Sequence, residues 1–125
     1  MRRIAGLAVL VALAAGCDSG PSGPGDLTAS IRSPEVSLGG AVLEIVATGV
    51  ESFSGAGGTK VFWAPQDDPV VYRVVVVGEG GGELNFHISV QDRASRTPRA
   101  SVVSLVDLNN QPILVTQDYE VKFTR

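Results

Sequence analysis

Apolar and polar residues alternate with a period of two along several stretches of the chain. The clearest stretch is GELNFHISVQ at residues 82–91, and residues 26–32 and 118–124 repeat its pattern. The apolar positions of the first stretch are Leu84, Phe86, Ile88 and Val90. A period of two is typical of a strand with one face in a core and the other in water. The pattern therefore predicts three half-buried strands.

Two further runs are apolar at nearly every position. VVYRVVVV at residues 70–77 is interrupted only by Arg73, and ASVVSLV covers residues 100–106. β-Branched residues on both faces favour strands in the middle of a sheet. Residues 42–48 and 60–64 supply two more strand patterns.

Clusters of Gly, Pro, Asn and Asp separate these runs at intervals of roughly 8–12 residues, a spacing typical of sandwiches and barrels. GEGGG at residues 78–82 is expected to close a hairpin, and NNQP at residues 109–112 is expected to turn the chain after a strand ending near Leu108. The prediction is an all-β fold, an antiparallel β-sandwich with Greek-key connections and about seven to nine strands, like immunoglobulin or cohesin modules.

The first strands also show a family resemblance. Residues 24–34 and 40–49, PGDLTASIRSP and GAVLEIVATG, resemble the opening strands of cohesin-type modules of bacterial surface proteins. The resemblance covers about two strands and assigns no residue a role.

The amino terminus has the three parts of an export signal. Arg2 and Arg3 precede an apolar run at residues 4–15, and small residues follow at positions 14–16. The run is shorter than the roughly 20 residues that a transmembrane helix needs. A cleaved signal is therefore expected rather than a membrane-spanning anchor.

LAAGC at residues 13–17 resembles the lipobox of bacterial lipoproteins. The resemblance implies that residues 1–16 are removed as a signal peptide and that the thiol of Cys17 carries the lipid that attaches the protein to a membrane. An ordinary secretory signal with an incidental cysteine is the alternative. Asp18 resembles an inner-membrane retention signal of some Gram-negative bacteria, but that rule does not extend to all phyla, so inner and outer membrane both stay open.

Three regions follow from this organisation. Residues 1–16 are the lipoprotein signal peptide, and residues 17–26 are the lipidated cysteine with a flexible Gly/Ser/Pro linker. Residues 27–125 are the β-sandwich domain, which is long enough for one core. The domain is expected outside the cytoplasm, in the cell envelope.

Composition narrows the function classes. The formal net charge of −3 argues against nucleic acid, which usually meets a clustered basic surface. The single cysteine excludes an internal disulfide and a thiolate zinc site. Neither a cofactor nor a metal is expected.

Catalytic residues are not expected either. His87 is the single histidine, lies on the polar face of a strand pattern, and is accompanied by none of the common nucleophile or metalloprotease motifs. Asp67 and Asp68 lie in the PQDDP segment, but they lack the spaced acidic series of a calcium loop, so a solvated turn is favoured over a weak calcium site.

Two sets of residues are candidates for binding. Arg93, Arg96 and Arg99 in QDRASRTPR form a basic cluster that, with Asp67 and Asp68, is a candidate for contacting an envelope protein or an anionic glycan. The second set is Trp63 and Tyr72, whose rings are candidates for stacking on sugars, with a place in the core as the simpler alternative.

The expected function is that of a membrane-anchored cell-envelope lipoprotein without enzymatic activity, in which the sandwich is a protein-binding or structural module. A carbohydrate-binding module is the alternative. A hydrolytic or metal-dependent enzyme is a remote one.

Overall fold

The computed structural model describes residues 22–31, 37–80, 83–114, 116–117 and 119–125. Within these ranges all regular elements are strands. Their bounds are β1 Gly25–Ile31, β2 Leu38–Val46, β3 Val50–Gly55, β4 Thr59–Pro65, β5 Val71–Gly78, β6 Leu84–Val90, β7 Arg99–Asp107, β8 Pro112–Ile113 and β9 Val121–Thr124. The first strand thus begins inside the stretch expected to be linker.

The strands form two antiparallel sheets that pack face to face. One sheet has four strands in the order β3-β6-β1-β9, and the other has five in the order β4-β5-β2-β7-β8. The consecutive strands that pair within one sheet are β4 with β5 and β7 with β8. Other connections cross from sheet to sheet, as Greek-key sandwiches require. The all-β antiparallel sandwich with nine strands is confirmed.

The core follows from the alternation in the sequence. On β6 the buried side chains include Leu84, Phe86 and Ile88, which share one core cluster with Leu43 of β2 and Val74 of β5 from the other sheet. The intervening residues of β6 are only half-buried and face outward. Each strand therefore contributes every second side chain to one shared core.

The two runs that are apolar on both faces form interior strands, as predicted. β5 lies between β4 and β2, and β7 lies between β2 and the two-residue β8. Next to β2, β7 carries a bulge between the pairs Val42–Ser104 and Leu43–Val102. This leaves Val103 opposite no residue of β2.

One turn prediction is confirmed and another is wrong. After β7, the Asp107 carboxylate accepts hydrogen bonds from the amides of Asn109 and Gln111 at 2.8 and 2.9 Å, and the chain returns as β8. Residues 78–82 do not close a hairpin, because β5 and β6 lie in different sheets. The crossing starts at Gly78, where a Cβ would lie 2.6 Å from the Leu84 side chain. A side chain at this position would have to displace the end of the Leu84 side chain.

The β3–β4 corner closes one side of the sandwich. β3 belongs to the four-stranded sheet and β4 to the five-stranded sheet, and residues 56–58 join them. A methyl group at Gly55 would overlap the carbonyl oxygen of Thr59. The backbones of the two strands approach this closely only because residue 55 has no side chain.

Gly55→Ala is therefore expected to destabilise the domain by about 1–3 kcal/mol, because the corner must open to admit the methyl group. Thermal unfolding measures the effect, with Gly58→Ala as the matched control. Gly58 lies in the same corner, and a Cβ there would meet no atom within 4 Å. Equal melting temperatures for the two variants would contradict the close approach at Gly55.

Candidate functional site

Trp63 and Tyr72 lie at the β3–β4 side of the sandwich, on the inner face of the five-stranded sheet. Their rings surround Phe53 of the opposite sheet, with centroid distances of 5.2 Å from Phe53 to Trp63 and 5.3 Å from Phe53 to Tyr72. The Trp63 and Tyr72 rings are inclined by 63° to one another. Two rings at this angle do not form a flat platform for a sugar. Tyr72 packs against the core, whereas Trp63 is 39% exposed at the edge of this aromatic cluster.

His87 lies on the outer face of the four-stranded sheet, in a row with Ser54, Thr28 and Thr124. The His87 Nδ1 and Thr28 Oγ1 atoms are 3.4 Å apart. The row contains no carboxylate that could orient the imidazole, which a Ser–His type of catalytic site requires. The arrangement is that of a polar, half-buried strand pair.

The two charged loops named by the sequence lie at the same end of the sandwich. The chain enters β1 there, so we call it the entry end. Gly25 is opposite Val90, the last residue before the arginine-containing loop. The loop with Asp67 and Asp68 joins this end because Ala47, just after β2, donates its amide to the Val70 carbonyl at 2.9 Å.

Arg93 is bound to the first described residues of the chain. Its Nη2 donates to the Ser22 carbonyl at 3.0 Å, and its amide donates to the Gly23 carbonyl at 2.8 Å. Asp92 completes this clamp by accepting from the amides of Gly23 at 3.0 Å and Ala94 at 2.9 Å. Hydrogen bonds from the Ala94 and Gly23 amides hold the pKa of Asp92 below its usual value. Residues 22–23 are thereby fastened to the domain.

Arg125 fastens the same loop from the other side. Its Nε donates to the Arg93 carbonyl at 2.6 Å, and its Nη2 donates to the Ser95 carbonyl at 2.9 Å and to the Thr97 hydroxyl at 3.2 Å. The sequence analysis missed this residue. Only its position at the end of the last strand pattern could have suggested that it meets a loop.

The remaining charged candidates are more open. Arg96 and Arg99 are exposed and line a cavity of about 250 Å³. Asp68 accepts from the Val70 amide at 3.2 Å, which is an Asx turn, and Asp67 is exposed next to it. The structure thus brings the arginines and the aspartates to one end of the molecule. The side chains of Arg93 and Asp68, however, form hydrogen bonds within the domain.

The outer faces of the two sheets differ sharply in polarity. On the four-stranded sheet the outward positions of β1, β6 and β9 are Asp26, Thr28, Ser30, Asn85, His87, Ser89, Lys122 and Thr124. On the five-stranded sheet the outward positions include the apolar residues Val42, Phe62, Val75, Val77, Val103 and Val106, together with Lys60, Arg73, Glu44, Ser101 and Ser104. We call this second surface the valine face. It carries more apolar residues than a solvated sheet face usually does.

The valine face is open to solvent in the part of the chain that the structure describes. Phe62 is 60% exposed, Val103 is 48% exposed and Val77 is 38% exposed. A shallow depression of about 120 Å³ lies beside them, lined on one side by Gly40 and Val106. Contiguous exposed apolar surface of this kind marks interaction sites.

The apolar part of the valine face is bordered by charges of both signs. On the side nearer the entry end, Arg73 Nη2 lies 3.5 Å from Glu44 Oε2, and both side chains are 43% exposed. On the far side, Lys60 Nζ lies 3.7 Å from Glu79 Oε1. The sequence did carry a signal for this surface, because residues 70–77 and 100–106 are apolar on both faces.

The lipidation prediction falls outside the described residues, since Cys17 precedes Ser22. Across the ranges given above, no helix has the length and apolarity needed to cross a bilayer. The same ranges contain no group of three or more His, Cys, Asp or Glu side chains placed to hold a metal ion. Comparison with protein-family models, with curated proteins and with solved structures finds no match for this chain.

Proposed function

We propose that this protein is a lipid-anchored protein of the cell envelope, without enzymatic activity, and that its sandwich binds another protein through the valine face. The anchor is the lipid on Cys17 that the LAAGC motif implies. Two or more acyl chains give stable membrane attachment, whereas one chain gives only marginal attachment. The domain itself then needs no membrane-binding surface.

The observation that carries the proposal is the outward-facing apolar row on the five-stranded sheet, in which Phe62 is exposed and Val75 and Val42 are half-buried. Phe62 of β4, Val75 of β5 and Val42 of β2 are cross-strand neighbours on this face. A solvent-exposed sheet face would normally carry polar residues at these positions, as the other sheet does. An exposed aromatic residue beside aliphatic residues is also a common anchor of protein–protein interfaces.

The position of the linker supports the valine face over the charged loops. The clamp by Asp92 and Arg93 fixes the chain at Ser22 and Gly23, and only four residues lie between Cys17 and Ser22. Such a segment spans at most about 17 Å. An anchored domain would therefore turn its entry end, with both charged loops, toward the bilayer. The valine face would stand to the side, where a partner can reach it.

The alternatives receive less support from the geometry. A glycan-binding site at Trp63 and Tyr72 would have no flat two-ring platform, because the two rings are inclined by 63°. A hydrolytic site would need an oriented base, but the row that contains His87 holds no carboxylate. Protein binding needs only an accessible apolar surface, which the valine face provides.

Site-specific photocrosslinking in membranes of cells that make the protein tests this function. Phe62 is replaced by the photoreactive residue benzoylphenylalanine, and the matched control carries the same residue in place of Asn85. Asn85 lies on the outer face of the four-stranded sheet, which is polar. A protein adduct is expected at position 62 and not at position 85, because only the valine face excludes water in a complex.

The adducts are identified by mass spectrometry. Equal labelling at both positions, or no protein adduct at position 62, would show that the valine face is not an interface. A defined adduct at position 62 supports the function whatever the partner is.

A further inference from the structure

The valine face is complementary to itself, and we infer that its partner is a second copy of this chain related by a two-fold axis. The inference rests on the proposed function, because it names the partner of the same face. In an interface of this kind each surface patch contacts the same patch on the other copy. The face must therefore match itself in charge, in shape and in the direction of the anchors.

The charges meet this requirement. Arg73 and Glu44 are cross-strand neighbours on β5 and β2, beside the apolar part of the face on the side nearer the entry end. A two-fold axis running along the strands between β5 and β2 reverses their order in the second copy. Arg73 of each copy then faces Glu44 of the other, and two such pairs form. A face with charges of one sign would repel its own copy.

The shape meets it as well. Phe62 protrudes from β4, next to β5. The same axis carries Phe62 of one copy to a position above β7 of the other, three strands away. The depression of about 120 Å³ borders that position, because it lies over β2 between residues 75–77 of β5 and Ser104 and Val106 of β7. A protruding ring on one side of the axis and a depression on the other form two equivalent contacts.

The size of the face allows a stable pair only with help from the membrane. Strands spaced by about 4.8 Å, with a rise of about 3.3 Å per residue, give a face of roughly 400–500 Å². Two copies would bury about 1,000 Å², which is near the lower limit for specific interfaces. Confinement of both chains to one membrane raises their effective concentration and compensates for the small area.

The direction of the anchors agrees with this axis. A two-fold axis along the strands keeps the entry ends of both copies at the same end of the pair. Residues 22–23 of both copies, which the Asp92–Arg93 clamp holds at that end, then lie on one side. Both lipid anchors can therefore reach the same bilayer. An axis perpendicular to the strands would point the two anchors in opposite directions.

Exchanging the charges of Arg73 and Glu44 tests the inference. Arg73→Glu and Glu44→Arg are each expected to weaken self-association at least about tenfold, because like charges then face each other in the pair. An equimolar mixture of the two variants is expected to associate as the wild type does, because every contact between unlike copies is again between opposite charges. The double variant is expected to recover self-association alone.

The full-length protein is reconstituted into lipid vesicles, and its self-association is measured by energy transfer between labelled copies over a range of protein-to-lipid ratios. Phe62→Ser is included and is expected to weaken association by about thirtyfold, the effect of losing a central aromatic anchor. Leu108→Ser is the control, since Leu108 is exposed in the turn after β7 rather than on the valine face. Circular dichroism confirms that each variant is folded.

The outcomes separate this inference from the proposed function. If the wild type stays monomeric while photocrosslinks at position 62 capture a different protein, the two-fold pair is wrong and the proposed function stands. If the wild type dimerises but neither charge variant nor Phe62→Ser weakens the dimer, the pair forms elsewhere and the inference is wrong. Rescue by the mixture supports the axis, since a merely structural role of the two charges would not produce it.

Discussion

Cys17→Ser is expected to abolish lipid labelling of the protein and to remove it from the membrane fraction or leave it as uncleaved precursor. The lipobox resemblance implies that the thiol of Cys17 receives the diacylglyceryl group. A serine hydroxyl does not replace it in that modification. Each buried CH₂ of an acyl chain contributes about 0.8 kcal/mol to membrane attachment, so the loss of two chains leaves no stable attachment.

Metabolic labelling with an alkyne fatty acid, followed by membrane fractionation, measures both effects. Asp18→Ser is the matched control, because it changes the neighbouring residue and keeps the thiol. Labelling of the control should equal that of the wild type. If Cys17→Ser retained its label or its membrane attachment, the lipoprotein assignment would be wrong.

Phe86→Ala is expected to have the largest effect on folding. Phe86 is 0% exposed, lies on β6 in the four-stranded sheet, and belongs to the core shared by both sheets. Truncation of a buried phenylalanine costs about 3–5 kcal/mol, because transfer free energy is lost and a cavity remains. A domain of this size has a total stability of about 5–15 kcal/mol. The variant should therefore melt well below the wild type or fail to fold.

The matched control is Phe62→Ala, which removes the same atoms from a side chain that is 60% exposed. Both variants are unfolded in urea at a protein concentration low enough to keep the chain monomeric. A loss of stability for Phe62→Ala as large as for Phe86→Ala would contradict the assignment of Phe62 to an open face. A small loss for Phe86→Ala would contradict the central position of Phe86.

The two proposals depend on one piece of geometry, the clamp at the entry end. Arg93 and Asp92 hold residues 22–23, and Arg125 holds the Arg93 carbonyl from the other side. The clamp leaves only residues 18–21 between the proposed anchor at Cys17 and the fixed Ser22. A short tether restricts the orientation of an anchored domain far more than a long flexible one. The valine face can then meet the same face of a second copy anchored to the same membrane.

The sequence by itself determined the fold class, because side chains of a half-buried strand must alternate. Residues 82–91 and 26–32 became β6 and β1 with the expected side chains buried. It also placed residues 70–77 and 100–106 in the interior of a sheet. What it did not determine was sheet membership. The GEGGG segment has the composition of a hairpin turn, yet it crosses between sheets because β5 and β6 cover opposite sides of one core.

The candidate site depended still more on tertiary structure. The sequence recorded that both faces of β5 are apolar, but only the packing of two sheets shows that one of these faces is inside and the other open. Register likewise decides that Phe62, Val75 and Val42 form a row, and that Arg73 lies beside Glu44. These neighbours come from separate strands, and periodicity within a strand carries no information about which residues stand opposite. The alternation of side chains is a local property that the sequence shows directly, whereas the valine face exists only once the strands are paired.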